Sequence, residues 1–407
     1  MPAKPSAAAA RGGDAPTALV LQGGGALGAY QAGAYEALAL QGERVSWVVG
    51  ISIGAINAAL IAGNRCERRV ERLRAFWERV SVALLPSATL GAWFAPMRRW
   101  WDDGMAMLGA WQGIEGFFRP RPPWAWWPRA PVSVYDTAPL RETLRELVDF
   151  DLLDNGPVRL SVGAVDVESG NFIYFDNRQQ AIGAEHIMAS GALPPGLPPV
   201  RVGERWYRDG GIVSNTPLAH VLATLETGPD APVTIFQVDL FNARGALPQT
   251  ILDAAEREKD IRFSSRTRMV SDRLRERHQL RRRLRELAAW LPQTKRTSPA
   301  VRSLLAETAD PPITLVHVIH RHKPYETQTK DYEFSRLSMC EHWAAGVADM
   351  AASLQLLQRQ PAIGPGEFRV LDRQADTPPR AYRRADPGAP DDRTNAAGAR
   401  RTFETER

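Results

Sequence analysis

The sequence predicts an α/β fold around a mostly parallel sheet, and three observations predict it. ALVLQGGG (residues 18–25) is a short apolar run ending in glycines, and ALGAYQAGAYEALAL (26–40) is an apolar helical run directly after it. The unit then repeats, with VSWVVG (45–50) as a strand and a helix starting at Ile53. Further strand patterns at 158–167, 171–175, 232–240 and 312–320 alternate with helical ones such as 137–148 and 342–358. Alternation of this kind implies parallel strands with covering helices.

Composition narrows the class without naming a function. A chain of 407 residues with 44% hydrophobic and 24% charged residues can bury a large core, and no run of 18 apolar residues marks a membrane span. Residues 1–16 are expected to be a disordered N-terminus; Arg11 and Asp14 interrupt its alanines before a signal-peptide core can form, so the chain reads as unsecreted. The expected location is the cytoplasm. Cys66 and Cys340 make no disulfide framework and lack metal-ligand spacing, so a reducing compartment fits and structural zinc does not.

Three segments depart from the alternation. Residues 86–131 carry seven of the twelve tryptophans, Trp93, Trp100, Trp101, Trp111, Trp124, Trp126 and Trp127, and read as an insertion. Between Arg257 and Arg285 stand 12 Lys/Arg and 4 Asp/Glu, a local surplus of +8 against +5 for the whole chain, with Leu274, Leu280, Leu284 and Leu287 near helical spacing. Residues 361–407 turn to Pro, Gly, Ala, Arg and Asp without periodicity and are expected to be a disordered tail.

The first glycine turn admits two chemistries. Gly23, Gly25 and Gly28 fit G-x-G-x-x-G, but a dinucleotide site also needs an acid at the end of the second strand. That strand ends in Gly50-Ile51-Ser52, and the nearest acid, Glu43, precedes it. The remaining functional use of such glycines is to aim free backbone N–H groups at a developing negative charge. A tight, closely packed turn is the plain structural alternative.

Gly50-Ile51-Ser52-Ile53-Gly54 fits G-x-S-x-G, the strand-to-helix elbow that lifts a serine into the open. Parallel strands point their carboxyl ends to one rim, so Gly23 to Gly25 and Ser52 would converge there. Two kinds of base could take the serine proton. His317, His320, His322 and His342 come late enough for a Ser-Asp-His order, yet only one strand precedes the elbow, unlike the usual α/β-hydrolase plan. Alternatively, Asp209 stands before Gly210-Gly211 in WYRDGGIVSNTPL (206–218), and burial would have to raise its pKa. An Asp-Gly turn of no catalytic consequence is the other reading of that stretch.

These residues together resemble the patatin-like phospholipases. The family combines a G-G-G-x-x-G oxyanion loop, a G-x-S-x-G elbow one βα unit later and a distant D-G-[AG]. GAINA (54–58, with Asn57), MASGALPPGLPPV (188–200), and Asn215 and Pro217 after the aspartate extend the likeness, which covers about residues 17–240. YEFSRLSMCEHWAAGVADM (332–350) looks like the C-terminal extension of a bacterial subgroup. Many members carry Arg or Lys at the fifth loop position, and this chain has Leu27.

The resemblance implies a three-layer sandwich with a helical C-terminal extension at 241–360. It also implies acyl-ester hydrolysis without a metal or other cofactor. Ser52 is then the nucleophile and Asp209 the proton acceptor, with Gly23, Gly24, Gly25 and Gly28 as the oxyanion loop and Gly50, Gly54, Asn57, Gly210 and Gly211 as support. A phospholipid, lysophospholipid or other lipid ester is the implied substrate. The alternatives are a conventional Ser-His-Asp esterase and a non-catalytic scaffold associated with membrane or nucleic acid.

The partners expected are thus a lipid ester and, peripherally, an anionic membrane. The tryptophan insertion reads either as a lid or interfacial anchor or as a packed satellite core. The basic helix suits anionic head groups or nucleic acid, or is a solvated face with internal acid pairs, and the last is favoured.

Overall fold

The computed structural model describes residues 16–83, 95–127, 130–228, 231–308, 310–321, 323 and 325–373, and of residues 95–96, 265–271, 274 and 307 the backbone alone. Trp93, His322, the Leu274 side chain and most of both expected terminal segments lie outside the described residues.

The opening follows the apolar pattern. β1 (Thr17–Leu21) leads to α1 (Gly28–Leu40), and β2 (Trp47–Ile51) leads to α2 (Ile53–Ala62) and α3 (Arg69–Arg79). Both strands are buried along their whole length, as strands covered on both faces should be. Leu19, Leu21 and Val48 belong to the larger core, with residues of α1, α2 and the helix Arg336–Gln358. Ala18, Val20 and Val49 belong to a smaller core on the opposite face, with Leu218 and Val221 of the helix Leu218–Ala223. A sheet between two helical layers is the result.

The rest of the sheet is β5 (Arg159–Asp166), β6 (Phe172–Asp176), β7 (Val200–Val202), β8 (Arg205–Asp209), β9 (Val233–Asp239), β10 (Ile313–Ile319) and β11 (Phe368–Asp372). A separate ribbon pairs β3 (Arg119–Pro120) with β4 (Tyr135–Asp136). The sheet order is β11-β10-β9-β1-β2-β5-β8-β7, with β6 also on β5. Every pair from β11 to β5 is parallel, whereas β6 and β8 run antiparallel to β5 and β7 runs antiparallel to β8.

The register around β5 is what positions the site. Gly163 pairs with Ile51 on one side and Tyr174 on the other, and the next residue, Ala164, pairs with Ile173 and Asp209. Since a strand has only two edges, β2 and β8 occupy the same edge of β5 end to end. The chain leaving β2 at Ser52 therefore meets the chain leaving β8 at Asp209.

Two expectations about the C-terminal half need correction. The boundary expected at residue 240 falls inside one compact unit, because β10 and β11 continue the sheet beyond β9. The helix Arg336–Gln358 also packs on α1 at near backbone contact: a Cβ on Gly346 would lie 2.0 Å from the Tyr30 carbonyl oxygen, and one on Gly33 2.0 Å from that of Trp343. The second correction concerns β11, which lies within the segment expected to be a disordered tail. Five residues were too short a run for periodicity to reveal, and pairing with β10 supplies the order.

Candidate active site

Ser52 sits where β2 becomes α2, with φ 56° and ψ −124°. It is the one non-glycine residue with positive φ among the described residues, and such backbone is held only where its surroundings over-determine it. The flanking glycines permit the turn. A Cβ on Gly50 would lie 2.2 Å from the Gly54 carbonyl oxygen, and one on Gly54 would lie 2.4 Å from that of Leu21. The elbow is fixed from beneath by Ser190, whose Oγ accepts the Ser52 N–H at 2.9 Å and donates to the Gly163 carbonyl at 2.6 Å.

The Ser52 hydroxyl donates to Asp209 Oδ2 at 2.7 Å. The other carboxylate oxygen, Oδ1, accepts the Gly211 N–H at 2.7 Å, which fixes the plane of the group. Burial pushes the Asp209 carboxyl up to about 6, against the hydrogen bonds from Ser52 and Gly211 that hold it down. Gly210 lets β8 close on β5, since a Cβ there would lie 2.8 Å from the Gly163 carbonyl oxygen.

The glycine loop forms the facing wall. Gly25 has φ +54°, and a Cβ there would lie 1.9 Å from the Asp331 carbonyl oxygen. That same oxygen accepts the Ala26 N–H at 2.8 Å. Gly23 donates to the Asn215 carbonyl at 3.4 Å, and Asn215 Nδ2 donates to the Gly23 carbonyl at 3.0 Å. The Gly24 and Gly25 N–H groups make no hydrogen bond among the described residues. Gly28 stands apart from the loop's other glycines: its N–H bonds the carbonyls of Gly25 and Ala26, and a Cβ on it would strike Ile53 at 2.5 Å. It packs α1 on α2 and has no free donor for a ligand.

Asn57 also lies behind the site. Fully buried, it donates to the Gly28 carbonyl and Gln31 Oε1, each at 3.0 Å, and accepts from Trp77 Nε1 at 3.0 Å. Leu27 is buried in the core, so this chain presents no cation at the fifth position of the loop.

Ser52, Asp209 and Gly23 to Gly25 line one cleft of about 410 Å³. The rest of its lining is mostly apolar, including Ile53, Ile56, Phe117, Phe118, Phe241 and Phe334. No histidine lines it among the described residues. His320 Nε2 and His342 Nε2 instead share Glu326 Oε1 at 3.1 and 3.2 Å, and His317 Nδ1 lies 3.7 Å from Asp239. The His320, Glu326 and His342 ligand atoms lie within 4.8 Å of one another, as metal ligands would, but these contacts already pair both Nε2 atoms with the carboxylate.

Three contributors escaped sequence reasoning. Ser190 lies inside the quoted stretch at 188–200 but carries no motif signal of its own. Gln22 accepts the Leu240 and Phe241 N–H groups at 2.6 and 3.1 Å and donates to Thr216 Oγ1 and the Phe263 carbonyl, each at 3.0 Å, tying the loop's base to β9. Asp331 acts through its main-chain oxygen, to which a sequence is blind. Of the seven tryptophans expected in an insertion, Trp100, Trp111, Trp124, Trp126 and Trp127 are exposed, which contradicts a packed satellite core. In the basic helix Ile251–Ala289, acid pairs such as Arg282 with Glu286 at 2.9 Å and Arg262 with Glu258 at 3.6 Å run along the surface.

One cleft thus brings together a serine of positive φ, the buried carboxylate it is bonded to, and backbone amides that are unpaired among the described residues. The family model described as patatin-like phospholipase matches residues 19–222, half of the chain, and a second, described as patatin phospholipase, matches residues 261–361. The chain belongs to the patatin-like phospholipase family. No curated protein matches it. Among solved structures it is similar to VipD from Legionella pneumophila, at 14% identity over 84% of this chain and 67% of that one, with a TM-score of 0.37. The type III effector protein ExoU gives 14% over 86% and 55%, at 0.34, and human GIVD cytosolic phospholipase A2 gives 12% over 84% and 60%, at 0.36. The chain thus spans between 55% and 67% of the length of these structures.

Proposed function

We propose that the protein hydrolyses acyl esters of lipids through a Ser52–Asp209 dyad. The observation that carries this reading is the 2.7 Å hydrogen bond from the serine hydroxyl to a buried carboxylate whose pKa is raised toward neutrality. A serine hydroxyl attacks only when its proton has somewhere to go, and a base works best near the operating pH.

In the proposed reaction Ser52 Oγ attacks the ester carbonyl carbon while its proton passes to Asp209 Oδ2. The carbonyl oxygen becomes an oxyanion, received by the Gly24 and Gly25 N–H groups. Donors of this kind typically contribute about 10²–10³ in rate each. The positive end of α2, whose first residue follows Ser52, adds to the same field. Collapse expels the alcohol, which takes the proton from Asp209 and leaves Ser52 acylated. Water then attacks the acyl carbon and gives a proton to Asp209; collapse breaks the bond to Ser52 Oγ, which takes that proton back from Asp209 as the fatty acid leaves.

Family membership and the apolar lining of the cleft favour a lipid ester, with a phospholipid or lysophospholipid as the specific class proposed. A panel of phospholipids, lysophospholipids and short-chain esters tests it. Fatty-acid release from at least one lipid by the wild-type chain, absent with Ser52→Ala, is expected; release unaffected by Ser52→Ala would refute it.

A further inference from the structure

The helix Ala95–Gln112 buries charge and exposes large apolar side chains. Its inward face holds an ion pair, with Arg98 Nε 2.7 Å from Asp102 Oδ1 and both side chains buried. Arg98 also reaches Ser338 Oγ at 3.0 Å and Glu341 at 3.1 Å. Its outward face carries Trp100, Met107 and Trp111, which are 80%, 72% and 79% exposed. Their spacing places them in one stripe, and exposed Gly104 lies between them with open space above it. An ordinary surface helix turns its charges outward and its apolar stripe inward. Here a buried ion pair anchors the helix together with Met105 and Ala106, and a second apolar stripe faces out.

A second apolar group stands beside it. The turn Pro123–Trp126 leaves Trp124 77% exposed, and Trp127 next to it is 84% exposed. The β3–β4 ribbon that carries this turn is joined to the helix by the Tyr135 hydroxyl, which donates to the Ala110 carbonyl at 2.9 Å. Tyr135 and Ala110 both line the cleft of Ser52. Tyr135 and Ala110 thus join both groups of indoles to the lining of the cleft, and Leu193, which lines the same cleft and is itself exposed, adds to the apolar surface.

We infer that this apolar surface docks on a phospholipid bilayer, so that acyl chains pass from the membrane directly into the cleft. Soluble proteins rarely expose so many large apolar side chains together without a partner for them. Indoles, apolar in the ring and polar at the N–H, suit the boundary between head groups and acyl chains. The helix and the ribbon that bear the indoles also line the apolar cleft, through Ala110 and Tyr135, as a lipid-facing entry requires and a protein-binding patch does not. No described helix is long and apolar enough to cross a membrane, so the contact is one of partial insertion from the side. The direction of substrate entry rests on the hydrolase reading; the docking itself does not.

The test uses the full chain carrying Ser52→Ala, so that vesicles stay intact. Flotation with phosphatidylcholine vesicles at low and high salt is compared with the same chain carrying Trp111→Ala and Trp124→Ala in addition. The Ser52→Ala chain is expected to float in both salts with blue-shifted tryptophan emission, and the added changes should lower partitioning by about tenfold or more. Equal thermal midpoints, and part of the binding regained with Trp111→Phe and Trp124→Phe, show that docking and not folding was lost. Failure of the Ser52→Ala chain to float, or flotation unchanged by the alanines, overturns the inference. So does a dimer that the alanines dissociate in a chain that ignores vesicles, since that surface would then be a contact between copies. Hydrolysis of a soluble short-chain ester, measured separately with native Ser52, should survive the two alanines. Absence of that activity in the wild type would sink the hydrolase reading and leave the docking result standing.

Discussion

The Ser52 hydroxyl and the Asp209 carboxylate meet at 2.7 Å although 157 positions separate them in the chain. Their meeting follows from register, because β2 ends opposite Gly163 and β8 begins its pairing at the next residue on the same edge of β5. A serine and an acid placed this way need no histidine between them, provided the acid can hold the proton.

As the proposed base, Asp209 must be ionised to accept that proton. With its carboxyl pushed up to about 6 by burial, kcat/KM for a soluble ester should be level above about pH 7 and fall tenfold per pH unit well below 6. A profile still flat at pH 4.5 would remove Asp209 from the role of base.

The same raised pKa has a cost in stability. A carboxyl that holds its proton more tightly when folded contributes stability at pH below about 4, and that contribution is lost as pH rises through about 6. Asp209→Asn should therefore stabilise the protein at pH 8 by about 1–3 kcal/mol while abolishing hydrolysis, and the stability gain should shrink toward pH 4. Urea unfolding at the two pH values measures it. Equal stability of variant and wild type at pH 8 would contradict a strongly desolvated Asp209.

Gly25 is the loop position least able to take a side chain, with φ +54° and the Asp331 carbonyl oxygen only 1.9 Å from where a Cβ would be. Gly25→Ala should lower kcat by about 10²–10³, with a smaller effect on KM, because the loop's donors lose their aim. A kcat within threefold of wild type, in a variant with an unchanged circular dichroism spectrum, would place the oxyanion elsewhere.

Arg98 compensates buried acids. Removing it as Arg98→Met leaves Asp102 beside Glu333 without its cation, and burial already pushes Asp102 up to about 7. Loss of one partner of a buried pair typically costs about 3–5 kcal/mol. The deficit should be largest at pH 8 and smaller at pH 6, where Asp102 takes up a proton, and denaturant unfolding at both pH values checks the sign.

Much of this arrangement was legible in the sequence because it is local. Triple glycine after a strand, serine between glycines after the next strand, and an acid before two glycines are short patterns, and each marks a backbone turn that only those residues permit. What stayed hidden is carried by long-range or main-chain contacts. Ser190 supports Ser52 from 138 positions away, and Asp331 braces the glycine loop with an atom every residue has. Gly28 shows the converse: it completes the loop pattern, yet its N–H is used within the turn and its lack of a side chain serves helix packing. The tryptophan segment was legible as a departure from the α/β pattern, but which way its indoles face depends on the buried Arg98–Asp102 pair, which periodicity ranks as a surface feature.

Labelling with a fluorophosphonate, followed by peptide mass spectrometry, tests most directly whether Ser52 is a nucleophile made reactive by Asp209, as proposed. The wild-type chain should carry one adduct, on Ser52, formed at least 10³ times faster than in Asp209→Asn, a loss comparable to removing a triad member. No adduct on Ser52, or one that forms as fast without the Asp209 carboxylate, would contradict the account.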